Sequence, residues 1–352
     1  MNNKLLLTLT TVCSFIATID ALAVPKNYKY SGTVPTPVAD AATNAGRGNS
    51  GIPNYPQHGP VVTPKSTQWL TYKAIQDAIN GAPNNSSIKL SAGDFVINRS
   101  IKMKSNVVLM GSGRYNTFIT DRRWATGEAL IDFRDGTTDA GLENICVRTN
   151  MGAAPDNNYS NLRTGNITDL INMRGNSNWL YWIRALDAAN NTVNMGGSNN
   201  VVLASIFDGA WNKGPGGRGY FVVKGNRNLI AGNTFTGLRH FSIQRWSSSR
   251  TWSSNNVVAA NEFYVDMNFH SGDGGSNLIV ENNFRVPSFH PWGAYATGVP
   301  GQHGAPGPNN FVVRNVTHTS NSNDMPTGLY RANGYGDSFT RWWWSNGMTP
   351  VN

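Results

Sequence analysis

Asn228-Leu-Ile-Ala-Gly-Asn233-Thr-Phe235 is the stretch that decides the fold, and it recurs as Asn256-Val-Val-Ala-Ala-Asn261-Glu-Phe263 and as Asn277-Leu-Ile-Val-Glu-Asn282-Asn-Phe284. Each copy is an Asn, a short apolar run rich in Val, Ile or Ala, and Asn-x-Phe. Self-similarity at roughly 20 to 30 residues, in segments too short to bury an apolar face alone, predicts a solenoid whose coils stack into one core. Runs of this length bordered by Asn and Gly are typical of strands and turns. We therefore predict an all-β chain, a single parallel β-helix.

The corners of the predicted coils are occupied by Asn. Asn tolerates the left-handed backbone conformation and can hydrogen-bond to the Asn of the next coil, so the repeats predict an Asn ladder at the turns. Further copies of the unit begin at Asn178, Asn200 and Asn310, with uneven spacing. The excess residues of the longer coils must loop out, and such loops are where a cleft is expected.

The two ends of the chain have different compositions from the repeats. Residues 1–23 have a basic start, an interrupted apolar run and Ala21-Leu22-Ala23, which predicts a signal peptide and a secreted or periplasmic protein. Residues 24–66 are rich in Pro, Gly and Asn and predict an extended arm. Residues 67–320 are predicted to form the β-helix, which begins with a short capping helix near residues 71–80, and residues 321–352 a C-terminal tail or cap containing Trp342–Trp344.

The amino-acid composition indicates which class of partner the chain binds. The 29 Lys and Arg exceed the 20 Asp and Glu, so the net charge of +9 indicates an acidic partner. Only 14% of residues are charged and eleven are Trp, which favours an acidic polysaccharide over nucleic acid. No stretch is apolar enough for a membrane span, and a monomer is expected. Cys13 leaves with the signal, so Cys146 cannot form an intramolecular disulfide and is expected to be a buried small apolar side chain.

The first coils carry a resemblance to a known superfamily. The order Ala74-Ile75, Ile88-Lys-Leu90, Gly93-Asp-Phe-Val-Ile97, Ser105-Asn-Val-Val-Leu-Met-Gly111 and Thr117-Phe-Ile119 is similar to the opening of pectate-lyase-like proteins. That resemblance implies a right-handed parallel β-helix. It identifies architecture rather than activity.

A second set of short strands precedes the Asn units and carries polar residues. These strands lie within residues 170–175, 192–197, 220–225, 241–246 and 267–272. Stacked coils are about 4.8 Å apart, so Arg174, Lys224, Arg245 and His270 are predicted to form one row, flanked by a set of asparagines, namely Asn172, Asn194 and Asn268. A solvated face of unrelated charges is the alternative. Uncompensated cations in a row would instead favour an anionic ligand.

Such a row suits β-elimination in a uronic-acid polymer. The reaction removes the proton at C5 beside the carboxylate and expels the oxygen at C4, which requires charge neutralisation, a base and a proton donor. A lysine flanked by cations has its neutral form favoured, which makes Lys224 the candidate base. Arg218, Lys213 or His270 is a candidate for neutralising the substrate carboxylate.

Residues 220–284 also resemble polysaccharide lyase family 6, which contains alginate lyases and chondroitinase B. The similarity rests on Lys224-Gly, Asn233-Thr-Phe235, Ser242-Ile-Gln-Arg245 and the later Asn-x-Phe units. It implies Lys224 as base, Arg245 as acid and alginate as the favoured substrate. It also directs attention to neighbours expected to bind substrate: Arg174, Asn172, Asn194, Tyr220, Arg239, His240, Gln244, Trp246 and His270.

The chain also departs from that family's pattern. Trp246 stands where the family has His, and Gly217-Arg218-Gly219 contains none of the acidic calcium ligands expected before the lysine strand. We therefore expect no metal or other cofactor, although calcium stays open. Tyr220 remains an alternative acid or base. If strict alternation holds, with Ile243 inside, Gln244 rather than Arg245 points outward.

Two other classes of function remain open. A β-helix glycoside hydrolase would need clustered carboxylates, and the nearby Asp266, Asp273 and Glu262 are expected to serve turns. Gln302-His-Gly304 is a weak echo of the polygalacturonase pattern. A non-catalytic β-helix that binds anionic glycans would use the same basic row.

Overall fold

The computed structural model describes residues 24–47, 50–121, 128–149, 169–210, 219–238, 240–244, 253–265, 267–268, 274–285, 310–317, 328–332 and 348–351. The strands in these ranges form three sheets, and the chain visits the sheets in turn, once per coil. Pairing between neighbouring coils is parallel, as between β-strands 193–195 and 221–223 or 201–203 and 229–231. The predicted all-β parallel β-helix is confirmed.

The strands are numbered along the chain and grouped by sheet. The eleven-stranded sheet contains, in spatial order, β1 (Ser86–Lys89), β4 (Val107–Met110), β7 (Gly141–Glu143), β10 (Trp179–Tyr181), β13 (Val201–Leu203), β16 (Leu229–Ala231), β19 (Val257–Ala259), β22 (Leu278–Val280), β24 (Asn310–Val313), β26 (Gly328–Ala332) and β27 (Met348–Val351). The last two strands pair in antiparallel fashion.

The nine-stranded sheet contains β2 (Gly93–Ile97), β5 (Thr117–Asp121), β8 (Cys146–Thr149), β11 (Arg184–Ala188), β14 (Ile206–Ala210), β17 (Thr234–Thr236), β20 (Glu262–Phe263), β23 (Asn283–Phe284) and β25 (Val316–Thr317). The seven-stranded sheet contains β3 (Ile101–Lys102), β6 (Ile131–Phe133), β9 (Ile171–Met173), β12 (Val193–Met195), β15 (Tyr220–Val223), β18 (His240–Ile243) and β21 (Met267–Asn268). The last five of these strands, β9, β12, β15, β18 and β21, are the second set that the sequence predicted.

The interior of the solenoid is a continuous apolar core, and its centre is a double column of phenylalanines. Stacked rings from the nine-stranded sheet have centroids 4.8 to 5.3 Å apart, and those of the seven-stranded sheet 5.2 Å. The two columns meet edge to face. The members are Phe207, Phe235, Phe263 and Phe284 in one column and Phe221 and Phe241 in the other. The Phe of each Asn-x-Phe unit is therefore a core residue.

Two hydrogen-bonded Asn ladders run along the solenoid, as the repeats predicted. In the first, the backbone N–H of each Asn donates to the side-chain oxygen of the next, from Asn178 to Asn310, at 2.9 to 3.0 Å. The second runs from Ser205 through Asn233, Asn261 and Asn282 to Asn315.

The left-handed backbone positions differ from the prediction. In the described residues they fall on the residue before a ladder residue, among them Ala204, Arg227 and Glu281, and not on the ladder Asn itself. The N–H of such a residue donates to a carbonyl of the next coil, as from Ala204 to Ala231, so interstrand bonds fix the turn there. The ladder asparagines contribute their amides instead.

The N-terminal end of the solenoid is covered by helix α2 (Gln68–Gly81). The Thr67 side chain caps it by accepting from the N–H of Leu70 at 3.2 Å. Ile75 and Ile79 are fully buried against the first coil. The predicted capping helix is therefore present, and the prediction located its last residue within one position. The described helices include none long and apolar enough to cross a membrane.

The arm lies along the outer face of the eleven-stranded sheet. It contains a 3-10 turn (Thr36–Val38) and helix α1 (Ala39–Asn44). Tyr30, Ala41 and Ile52 join a second apolar cluster with the outward valines and leucines of that sheet. The ammonium of Lys26 lies 2.7 Å from the buried carboxylate of Glu143. The arm therefore gives this sheet a second apolar layer.

Candidate functional site

The candidate site lies on the outward face of the seven-stranded sheet. Phe221 and Val223 of β15 belong to the core, so alternation points Tyr220, Val222 and Lys224 away from it. The backbone N–H of Lys224 donates to the carbonyl of Met195 at 2.8 Å, which fixes the residue at the end of the strand. The Lys224 side chain is half-buried. Burial lowers its pKa, and the negative charge of Asp169 opposes that shift.

Asp169 is the carboxyl group that faces Lys224, and sequence reasoning did not select it. Its Oδ1 accepts from the Nδ2 of Asn190 at 2.7 Å and of Asn191 at 3.0 Å, and its Oδ2 accepts from the Nδ2 of Asn194 at 2.9 Å. Burial nevertheless raises the pKa of Asp169, against those hydrogen bonds and the charge of Lys224. The amides of the following coil therefore hold this acid in place beside the lysine.

A second carboxylate, Asp132 on β6, lies on the same sheet face. It is 6% exposed and has Lys102 Nζ at 3.0 Å, Arg134 Nε at 3.5 Å and Arg174 Nη2 at 3.8 Å. Asn172 Nδ2 donates to its Oδ1 at 3.3 Å. This carboxylate is therefore surrounded by three cationic side chains.

These two carboxylates correct the reasoning about the basic row. Arg174 is paired with Asp132 and, at 3.9 Å, with Asp135, and Lys224 faces Asp169. The described cations of this face are therefore compensated by carboxylates of the chain itself. Sequence reasoning considered Asp266, Asp273 and Glu262 as the acids near the site and did not consider Asp132 or Asp169; Asp266 and Asp273 lie outside the described residues.

The register of β15 and β18 decides which residue lies beside Lys224. Val223 pairs with Ile243, and Gln244 N donates to the carbonyl of Val223 at 2.9 Å, so Gln244 occupies the position next to Lys224. Ile243 is fully buried in the core, which is why the strand phase puts Gln244 outward. Arg245 itself lies outside the described residues, as do five other residues considered for substrate contacts, namely Lys213, Arg218, Arg239, Trp246 and His270.

The two asparagines that were expected to bind substrate do lie together. Asn172 and Asn194 are paired in the register of β9 and β12, between Asp132 and Asp169. Each uses its Nδ2 to hold one carboxylate, and the Oδ1 of each is buried without a hydrogen-bond partner. Two amide oxygens are thus left as acceptors on this face.

The remaining described residues that were predicted to bind substrate lie farther from Lys224 or are buried. Arg174 is separated from Lys224 by Gly196 in the register, so their backbones are about 10 Å apart. Tyr220 and His240 are neighbours in the register with ring centroids 5.2 Å apart, and they are only 3% and 6% exposed. They line the wall of the site and offer a ligand little surface.

No cluster of three or more His, Cys, Asp or Glu side chains that could hold a metal occurs in the described part of the chain. The four groups around Asp169 are amides and an ammonium, and an ammonium competes with a cation for the same carboxylate. The described residues of the site therefore do not fit a bound calcium ion.

Comparison with known proteins gives the fold but no family. No protein-family model and no curated protein matches the sequence. Among solved structures, a polygalacturonase from Erwinia carotovora ssp. carotovora superposes with a TM-score of 0.52 over 80% of this chain and 86% of its own, at 14% identity. The shared feature is the parallel β-helix.

Other solved structures are more distant in shape. The A-module of a mannuronan C-5 epimerase from Azotobacter vinelandii has a TM-score of 0.44 at 13% identity, over 71% of this chain and 83% of its own. Pectin methylesterase PemA from Erwinia chrysanthemi has a TM-score of 0.39 at 12% identity, over 76% of this chain and 81% of its own.

Proposed function

We propose that this protein is an exported β-helix lyase that cleaves an acidic, uronate-containing polysaccharide by β-elimination, with alginate ahead of other uronates. The observation that carries the proposal is Lys224, a half-buried lysine with a lowered pKa on the outward face of the seven-stranded sheet. A base must be neutral when it acts, and burial favours the neutral amine. The net charge of +9 supports an acidic substrate. The preference for alginate rests on the family 6 resemblance alone.

In this mechanism the neutral amine of Lys224 removes the C5 proton. The electron pair forms the C4–C5 double bond, and the C4–O bond breaks. Asp169, whose carboxyl group holds its proton more tightly because of burial, is a donor for the departing oxygen. One turnover leaves an ammonium facing a carboxylate, and proton exchange between them restores the starting state. Arg245 remains the alternative donor that the family resemblance implies.

The free amide oxygens of Asn172 and Asn194 support substrate binding beside these groups. Both atoms are buried acceptors without a partner, so a sugar hydroxyl satisfies them only when the half-buried side chains of Asn172 and Asn194 turn outward. Their position between Asp132 and Asp169 puts them where a bound chain would cross the sheet.

The test is the release of unsaturated uronate, measured by its ultraviolet absorbance. We expect Lys224→Ala to lower turnover of alginate at least about 100-fold, the low end for losing general base catalysis. Lys89→Ala, on the eleven-stranded sheet, is the matched control and should keep wild-type turnover. EDTA should change little. If Lys224→Ala retains full activity, or the wild type yields no unsaturated product from any uronate polymer, the lyase proposal is wrong.

A glycoside hydrolase is the second candidate, and the two carboxylates favour it. Burial raises the pKa of Asp169, whereas Asp132 lies among three cationic side chains, and two carboxyl groups in such different environments suit an acid and a base in glycoside hydrolysis. A hydrolase would release reducing ends without the unsaturated product. It would also lose activity in Asp132→Asn and Asp169→Asn while tolerating Lys224→Ala. A chain that binds acidic glycans and releases neither product would be the non-catalytic binder.

A further inference from the structure

A second surface groove, unrelated to the seven-stranded sheet, opens at the N-terminal cap. It has a volume of about 570 Å³ and lies between the segment that leads into α2 and the outward face of β2. Its lining includes Lys65, Gln68, Trp69, Asp94, Val96 and Asn98. Phe95 and Ile97 are buried in the core, so Asp94 and Val96 point outward into this groove.

Trp69 is the unusual residue of the groove. It is 43% exposed, whereas Trp179 is fully buried and Trp182 is half-buried, and these three are the described tryptophans. Its ring packs 5.4 Å from that of Tyr72, and the guanidinium of Arg99 lies 4.5 Å from the ring centroid. A large aromatic held in place by its neighbours and still exposed is typical of a binding surface.

The charges at the groove favour an acidic ligand. The carboxylate of Asp94 is matched by Arg148 at 3.0 Å and by the hydroxyl of Thr120. Within the described residues, no acidic side chain forms an ion pair with Lys65 or Arg99, and both are exposed. The groove therefore combines an aromatic face with one cation in its lining, Lys65, and a second cation, Arg99, that lies against the Trp69 ring.

We propose that this groove, the Trp69 groove, is a second binding site for the acidic polysaccharide, with a sugar ring against Trp69 and its carboxylate near Arg99 and Lys65. The apolar C–H face of a sugar suits an exposed indole, and the two cations suit a uronate. The substrate class rests on the proposed function, but the groove itself does not.

The Trp69 groove would anchor long chains rather than take part in cleavage. It lies at the first coil and Lys224 at the fifth, so about 20 Å of solenoid axis separates them. A polymer can contact both places, whereas a uronate trisaccharide is too short to do so. Trp69 should therefore affect the binding of polymer and leave turnover of short substrates unchanged.

Affinity electrophoresis through gels that contain alginate, polygalacturonate or chondroitin sulfate tests this site. All variants carry Lys224→Ala, so that the polymer is not consumed. We expect Trp69→Ala to weaken retardation by at least one of these polymers about tenfold, the loss typical of a buried hot-spot side chain. Arg99→Gln should weaken it as well. Leu70→Ala is the matched control, because Leu70 is equally exposed on the same helical turn and does not line the groove.

Three results would overturn the proposal: equal retardation of Trp69→Ala and its parent, equal losses in Trp69→Ala and Leu70→Ala, or retardation of the parent by neutral dextran as strong as by the acidic polymers. Thermal unfolding checks that the variants fold, which exposed positions should permit. Retardation measures binding and does not depend on turnover, so a failure of the binding proposal can be distinguished from a failure of the lyase proposal. A chain that binds through Trp69 and yields no unsaturated product would refute the proposed reaction alone.

Discussion

Replacing Asn261 by Ala should destabilise the protein strongly, because this side chain is a central member of the second Asn ladder. Its Oδ1 accepts from the backbone N–H and the Nδ2 of Asn233, and its Nδ2 donates to the carbonyl of Ile230 and to the Oδ1 of Asn282, all at 2.9 to 3.0 Å. Asn261 is fully buried, so water cannot replace these bonds in the folded chain.

The expected loss in the free energy of unfolding depends on which hydrogen bonds the partners of Asn261 retain after the substitution. The Asn233 N–H loses its acceptor, whereas its Nδ2 still donates to Val202 and the Oδ1 of Asn282 still accepts from the N–H of residue 261. One orphaned buried donor costs about 1–3 kcal/mol and each of the other three lost bonds about 1 kcal/mol, so roughly 4–6 kcal/mol is expected. That is a large part of the roughly 5–15 kcal/mol that stabilises a typical domain.

Urea unfolding followed by tryptophan fluorescence measures this loss. Asn283→Ala is the control, because that side chain directly follows the ladder residue Asn282 in the next coil, is half-buried, and donates a long 3.4 Å bond to Glu262. The control should change the free energy of unfolding by less than about 1 kcal/mol, as partly exposed substitutions usually do. A loss below about 1 kcal/mol in Asn261→Ala, with an unchanged slope, would refute the view that the ladder holds the coils together.

Four other predictions concern the core, two groups of the site and the free thiol. Phe235→Ala removes a ring that contacts four others and should lower the free energy of unfolding by about 3–5 kcal/mol, more than Phe235→Leu, in the same urea assay. The pKa of Lys224 is lowered in the folded chain. Between that pKa and about 10.4 the unfolded chain therefore binds more protons than the folded chain, so the free energy of unfolding should rise with pH. Lys224→Met should flatten that rise when urea unfolding is measured at a series of pH values. The pKa of Asp169 is raised, so stability should fall as pH rises from about 3.9 through the raised pKa, and Asp169→Asn should remove that fall. Burial raises the pKa of Cys146 to about 12, so this thiol should not react with Ellman's reagent at mildly alkaline pH until the chain unfolds, and fast reaction of the native protein would contradict its burial.

The sequence by itself determined the architecture. The Asn units carry all the local information of a coil: an apolar run that forms a strand, a turn, and a Phe that points inward. Because a solenoid coil packs only on its neighbours, repeated local patterns are sufficient to specify the whole. The capping helix followed from the spacing of Ile75 and Ile79 and its Gly-Ala-Pro end, and the buried state of Cys146 followed from its strand-like surroundings.

The candidate site was only partly accessible from sequence. Lys224, Asn172 and Asn194 could be placed on one sheet face because they share a position in similar strands. Asp169 escaped because it precedes its strand, in a position that no repeated motif marks. A sequence sign existed nevertheless: Asn190-Asn191 stands before the next strand, where it donates to that carboxylate.

What only the tertiary structure decided is which charged groups meet and which strand phase applies. The coils differ in length, so separation along the chain does not tell which side chains stack, and Arg174 proved to face Asp132. Burial of Ile243 determines that the side chain of Gln244 points outward. A shift of the strand register by one residue would exchange the inward and outward positions. The exposure of Trp69 likewise depends on how helix α2 packs against β2, because the sequence alone does not show whether a tryptophan is buried or exposed.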